Sequence, residues 1–204
     1  MKRICTAALA LLMALSLAAP ALAALDNPYP DVSDSAPYLK AIVKLYDHDI
    51  MKGDTSGNFN PDKTITREEF AAIICRLLRE EEAALAIKTS AFSDVASGRW
   101  SAGYIARAAQ LGIVSGYGGN RFGPTDPVTV EQAAKMLVCA WGYEDSALEA
   151  GGWPDGYLAE AEYHGILNGV KSASSAPAKR WEVALMAYQM RMNPTADEQG
   201  GFAE

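Results

Sequence analysis

The 204-residue chain is acidic, with 18 basic against 25 acidic residues, half of its residues hydrophobic and only three cysteines. That charge argues against nucleic acid as a partner, and any anionic ligand has to be held by a local cationic pocket working against the global field. The length suffices for one well-buried domain or a few small repeats.

The N-terminus reads MKRICTAALALLMALSLAAPALAA. Lys2 and Arg3 precede an uncharged apolar stretch from Ile4 to Ala19 and then Ala21-Leu22-Ala23, the layout of a secretory signal peptide over residues 1–23. The run is short for a membrane span and ends in small residues, which disfavours an uncleaved anchor. Cys5 sits too early to be the lipid-modified cysteine of a lipoprotein. No later segment is apolar enough to cross a bilayer, so the chain is expected to be exported and free of the membrane once the signal is removed. The remaining chain carries 16 basic and 25 acidic residues, a net charge of −9.

Beyond the signal the chain repeats itself. Setting Ile50, Ile113 and Ile166 on one another aligns Gly53 with Gly116 and Gly169, Phe59 with Phe122, and Pro61 with Pro124 and Pro177. Trp100-(x2)-Gly103-Tyr104 and Trp153-(x2)-Gly156-Tyr157 recur before the isoleucine, where the first copy has Pro37. The units are residues 26–80, 90–142 and 143–193, the last degenerate, with a linker at 81–89 and a flexible tail at 194–204. Each reads helix, loop, helix, which makes the fold class all-α.

In unit one Leu39, Ile42, Val43 and Tyr46 recur at helical spacing, and the second helix repeats the pattern with Phe70, Ile73, Ile74 and Leu77. Thr66-Arg67-Glu68-Glu69 opens that second helix as a capping box, and Thr129-Val130-Glu131-Gln132 does so in unit two. Unit three has Lys179 at that position, so its helix start is expected to be frayed or capped by a neighbour. Residues 79–90 read as a helix extension plus linker. KSASSAPAK, residues 171–179, reads as a mobile loop, and Gly53, Gly116 and Gly169 read as turn makers at positive φ whose missing side chain also lets a ligand approach. Cys75 and Cys139 each lie in an apolar helix, where a small buried thiol is favoured over a bridge.

FSDVASGRW, GYIARAAQLGIVSGYGGNRFGPTDPVT and the ITREE of residues 65–69 together resemble the S-layer homology (SLH) domain family across essentially the whole chain after the signal. YPDV at 29–32 and FSDV at 92–95 are similar to the family's opening motif, for which unit three offers only GYED near Asp145. The resemblance implies three SLH repeats in pseudo-threefold arrangement around a central helical bundle, with grooves between neighbours. It also implies non-covalent attachment of an exported protein to the cell wall or S-layer surface of a Gram-positive-type bacterium, through an anionic secondary cell-wall polysaccharide that often carries pyruvate ketals. The arginine of the ITREE box is the residue associated with that ligand, and it corresponds to Arg67 and, in unit three, Arg180.

Chemistry agrees with that role. A ketal presents a carboxylate, a guanidinium offers it a planar pair of donors, and the free amides expected at the start of a helix favour an anion further. The alternative is that Arg67 pairs with a nearby acid. Unit two has Val130 at this position, so its groove is expected to be the weakest. Trp100 and Trp153 either stack on sugar faces or fill space between the first helices, with packing favoured.

No arrangement points to an enzyme, a metal or a cofactor. Glu68 and Glu69 are adjacent and diverge on a helix, and the carboxylate run at 79–82 reads as a solvated face. His48 and His164 both lie two residues before the repeat isoleucine, which marks a repeat position, and no cysteine and histidine spacing suggests zinc. A surface module acting through other envelope proteins, without glycan, is the competing function.

Overall fold

The computed structural model describes residues 25–191, and among them it holds eight α-helices and no sheet. The signal peptide at 1–23 and the tail at 194–204 lie outside the described residues. In chain order the helices are α1 (Leu39–Asp47), α2 (Arg67–Leu77), α3 (Glu81–Ala86), α4 (Ala102–Gln110), α5 (Val130–Ala140), α6 (Glu144–Glu149), α7 (Asp155–Tyr163) and α8 (Arg180–Arg191). No helix among these residues is long and apolar enough to cross a membrane.

Each unit supplies one first helix (α1, α4, α7) and one second helix (α2, α5, α8). A single pair cannot bury both apolar faces, and the solution is exchange between neighbours. Helix α4 packs on α2 of the unit before it, α7 packs on α5, and α1 packs on α8, so the last unit closes onto the first. The apolar stripes read from the sequence form one continuous core, with Ile42, Phe70, Ile105, Leu137, Val183 and Met186 all at 0 % exposure, except that Tyr46 of the first stripe is exposed.

The starts of the three second helices meet at the pseudo-threefold axis. There Ile65 N–H donates to Ala178 O (3.2 Å), Ala178 N–H to Val128 O (2.9 Å) and Val128 N–H to Ile65 O (3.0 Å), a closed ring of three hydrogen bonds. Just beyond it, every second helix gives its first two amides to the loop of a neighbouring unit. Arg67 and Glu68 donate to Asp126 O and Pro124 O, Val130 and Glu131 to Ala176 O and Ser174 O, and Arg180 and Trp181 to Lys63 O and Pro61 O. Both expected capping boxes form, Thr66 with Glu69 and Thr129 with Gln132. Helix α8 lacks the capping hydroxyl but is not frayed. The Glu182 carboxylate accepts the Lys179 N–H at 3.0 Å and the neighbour's loop takes the next two amides.

Two segments differ from their sequence readings for the same reason, that they pack between units. The loop 171–179 is no loose connector, because its carbonyls cap α5 and Ala178 is fully buried in the axial ring. Residues 81–86 form the separate helix α3: the chain reverses at Arg79 (φ 58°), and α3 lies across α4 with Ala84 buried. Helix α6 repeats this on α7 with Ala147 buried. The approach explains Gly103 and Gly156, since a Cβ at either would run into the carbonyl of Ala84 or Ala147. Cys75 and Cys139 are free thiols whose burial pushes them up to about 12 and about 11.

Candidate functional site

Arg67 occupies the first helical position of α2, and its backbone does not do what a free helix start would do. The amides of Arg67, Glu68 and Glu69 are all taken, by Asp126 O, Pro124 O and Thr66 Oγ1. The expected contribution of open amides to anion binding is therefore absent here, and only the side chain remains. That side chain is 5 % exposed and crosses to unit two, where Nε donates to Phe122 O at 2.9 Å and Nη2 to Ser115 O at 3.0 Å. Nη1 reaches Gln132 Oε1 at 3.4 Å, and the guanidinium carbon lies 4.5 Å from the ring centres of both Tyr117 and Phe122. Among the described residues no carboxylate forms an ion pair with it, which rules out the reading of a simple acid partner. Burial works against its charge, and the nearby Tyr117, Asp126 and Asp94 offset that only in part.

Arg180 repeats the arrangement at the start of α8. Its Nε donates to Phe59 O (2.9 Å) and its Nη2 to Lys52 O (3.1 Å), with the guanidinium 4.9 Å from the Phe59 ring. Each arginine thus stitches one unit's helix to the loop of another. Val130, 2 % exposed, has no polar side chain to do so. In unit three the corresponding loop is folded instead onto Glu182, whose carboxylate accepts from the amides of Lys171 (3.1 Å) and Ser172 (2.8 Å) and from Ser172 Oγ (2.9 Å).

A groove opens beside each arginine. The first, about 320 Å³, is walled by Arg67, the Ser115–Tyr117 turn, Gln132 and Lys135 of α5, and Trp153. The second, about 90 Å³, is walled by Arg180, Lys52, Glu69 and Arg76 of α2, and Trp100. Both draw on all three units, so neither site exists in an isolated repeat. The favoured packing role for the tryptophans is overturned: Trp100 is 54 % and Trp153 48 % exposed, each at the rim of its groove. Their rings lie against Tyr104 and Tyr157, with ring centres 6.1 and 6.4 Å apart, while α3 and α6 pack between the preceding second helix and the following first helix.

The three glycines have other work than expected. Gly116 lines the first groove, but its missing side chain makes room for the Phe92 ring and the Arg121 carbonyl, as Gly53 does for Tyr29 and the Asn58 carbonyl. Only Gly169 of the three sits at positive φ (81°). His48 and His164 are the C-caps of α1 and α7, and His164 Nε2 lies 3.0 Å from Glu160 Oε1.

Sequence reading missed the carboxylates that build the loops. Asp31 accepts from the amides of Phe59 (2.8 Å) and Asn60 (2.7 Å), and Asp94 from those of Phe122 and Gly123 (both 2.8 Å). The signal was present in YPDV and FSDV. It also missed the buried Glu68, which accepts from Arg99 Nε (2.6 Å) and Nη2 (2.8 Å) and from Ser101 at the α2–α4 contact.

The profile of the S-layer homology domain matches residues 28–71 and 91–134, the stretches that carry the Asp31 and Asp94 loops and the starts of α2 and α5. The chain belongs to the S-layer homology domain family. Residues 143–193 lie outside the matched stretches; their helices α7 and α8 pack on α5 and α1, as α4 packs on α2. The chain is 34% identical over 80% of its length to a cell surface protein of Thermoanaerobacter kivui, covering 21% of that protein. It is 34% identical over 84% of its length to a surface layer protein of Brevibacillus choshinensis, covering 15% of it. With the exoglucanase XynX of Acetivibrio thermocellus the figures are 32%, 78% and 16%. The SLH chain thus spans about a fifth or less of these relatives.

Proposed function

We propose that this chain attaches non-covalently to the bacterial cell wall at the cell surface by holding an anionic wall polysaccharide in the Arg67 groove, and that it does so without catalysis. The observation that carries this is the Arg67 guanidinium: nearly buried, without a carboxylate partner among the described residues, and set in the wall of a groove rimmed by an exposed tryptophan. A buried cation lacking a counter-ion is stabilised by any ligand that supplies one. A pyruvate ketal on a sugar supplies a carboxylate for the remaining guanidinium donors, and the sugar face suits Trp153. The volume of about 320 Å³ lies at the lower end of small-ligand sites and fits one or two sugar units. Surface-layer and wall protein relatives agree with such a place of action.

The test is co-sedimentation of the chain with purified wall sacculi before and after chemical removal of the secondary polymer, with Arg67→Ala alongside and circular dichroism to establish that the variant is folded. Stripping and substitution are each expected to abolish retention. Retention indifferent to both sinks the glycan reading and favours assembly through protein contacts, for which Val130 of unit two and the repacked loop of unit three are the supporting features.

A further inference from the structure

Lys135 is a cation of the first groove whose counterpart on α2 of the second is Ala72. It lies one turn along α5 from Gln132, about 4.5 Å of axial rise, and Gln132 itself touches the Arg67 guanidinium. Its ammonium sits over aromatic faces, 4.9 Å from the Tyr157 ring centre and 5.9 Å from that of Trp153. Among the described residues no acid forms an ion pair with it. Two cations without acidic partners therefore face one groove of an otherwise acidic chain, and the side chain standing between them is a neutral amide. At the corresponding point the second groove has the carboxylate of Glu69.

Resting on the reading that the Arg67 groove binds an anionic glycan, we infer that Lys135 is a second, specificity-determining contact for the ligand's carboxylate, which is shared between Arg67 and Lys135 while the sugar face lies against Trp153. Like charges brought together in a groove repel in the empty state, and a shared anion turns that repulsion into two attractions. The aromatic rings under the ammonium fix its position without neutralising it. The rule for this chain is that a carboxylated sugar is chosen over its neutral analogue in the first groove by both cations acting together. The second groove, at about 90 Å³, is well below the volume of ordinary small-ligand sites.

The experiment is calorimetric titration of the folded chain with a methyl glucoside bearing a 4,6-linked pyruvate ketal, and with the methyl ester of that ketal, at low salt. The wild type is expected to prefer the acid. Lys135→Met is expected to weaken acid binding about tenfold while leaving the ester unchanged, Lys135→Arg to retain the preference, and Arg67→Ala to lose acid binding. If Arg67→Ala loses binding while Lys135→Met stays within about twofold of wild type, the glycan reading stands and the role of Lys135 is overturned. If the wild type does not distinguish acid from ester, both fall. Equal loss of acid and ester binding in Lys135→Met overturns the carboxylate contact in favour of a packing role.

Discussion

At Arg67 and at Arg180 a guanidinium is stitched to two loop carbonyls of a neighbouring unit, at 2.9 and 3.0 Å in one case and 2.9 and 3.1 Å in the other. Yet the groove beside the first is about 320 Å³ and the groove beside the second about 90 Å³. The arginine is common to both, so it does not decide what a groove can hold. The substitutions around it do. Glu69 stands where the first groove has Gln132, and Arg76 where it has Cys139. Arg76 is bound across to Glu81 at 2.8 Å, with the Tyr104 hydroxyl bonded to the same carboxylate. Acids act on both arginines, Glu69, Asp54 and Asp31 on Arg180 and Asp126 and Asp94 on Arg67, and for both burial outweighs them. The same stitching arginine stands beside a wide groove in one place and a narrow one in the other.

The comparison breaks most directly at the arginines themselves. Arg67→Ala is expected to weaken sacculus binding about 100-fold, the worth of two charge-assisted hydrogen bonds, and Arg180→Ala by no more than about threefold. Equal losses in a sedimentation assay would erase the distinction between the grooves. A finer exchange is Glu69→Gln with its reciprocal Gln132→Glu, since either residue serves the capping box and the helix start survives. Gln132→Glu is expected to reduce affinity in the first groove about fivefold, as a carboxylate brought near the bound anion would. Glu69→Gln is expected to raise any residual binding in the second by a similar factor.

Smaller still is the effect of opening the second groove's wall. Arg76→Ala is expected to enlarge that groove and to cost about 1 kcal/mol in urea denaturation, because the Arg76–Glu81 pair is partly exposed. The smallest effect is in acid. Burial works against ionisation of Glu81, but the Tyr104 hydroxyl and the Arg76 guanidinium outweigh it and hold the carboxyl below its ordinary value of 4.5. A folded-state value below the unfolded one gives stability that is complete above pH 4.5 and lost as the pH falls through the folded value. Removal of Arg76 should flatten that part of the acid titration, followed by circular dichroism.

The fold was legible in the sequence wherever a pattern is local. The helical stripes, the Thr66 and Thr129 capping boxes and the threefold recurrence all rest on residues within a few positions of one another. What escaped depends on partners far along the chain. The amides at Arg67 look free in sequence and are capped by Asp126 and Pro124, and the loop 171–179 looks loose because its bonding partners lie in α5 and unit one. For the site, the arginines were visible as motif residues. Their geometry was not, because Phe122 O and Ser115 O are backbone atoms with no sequence signature. The tryptophans were misjudged because α3 and α6, which pack on the first helices α4 and α7, read as linker and repeat boundary. Val130 was noticed, but the loop's switch from arginine to Glu182 was not.

The contact of α1 with α8, together with the axial bond from Ile65 to Ala178, also carries a kinetic consequence. Helix α1 (Leu39–Asp47) has its packing partner in α8 (Arg180–Arg191), so the ring's loop-closure entropy is met last, when α8 is in place. Until then one helix start and one outer helix lack their mates, and a nascent chain stays short of its final core until α8 has been made. The interval in which it remains threadable is set by the position of α8 in the chain rather than by the strength of any one repeat.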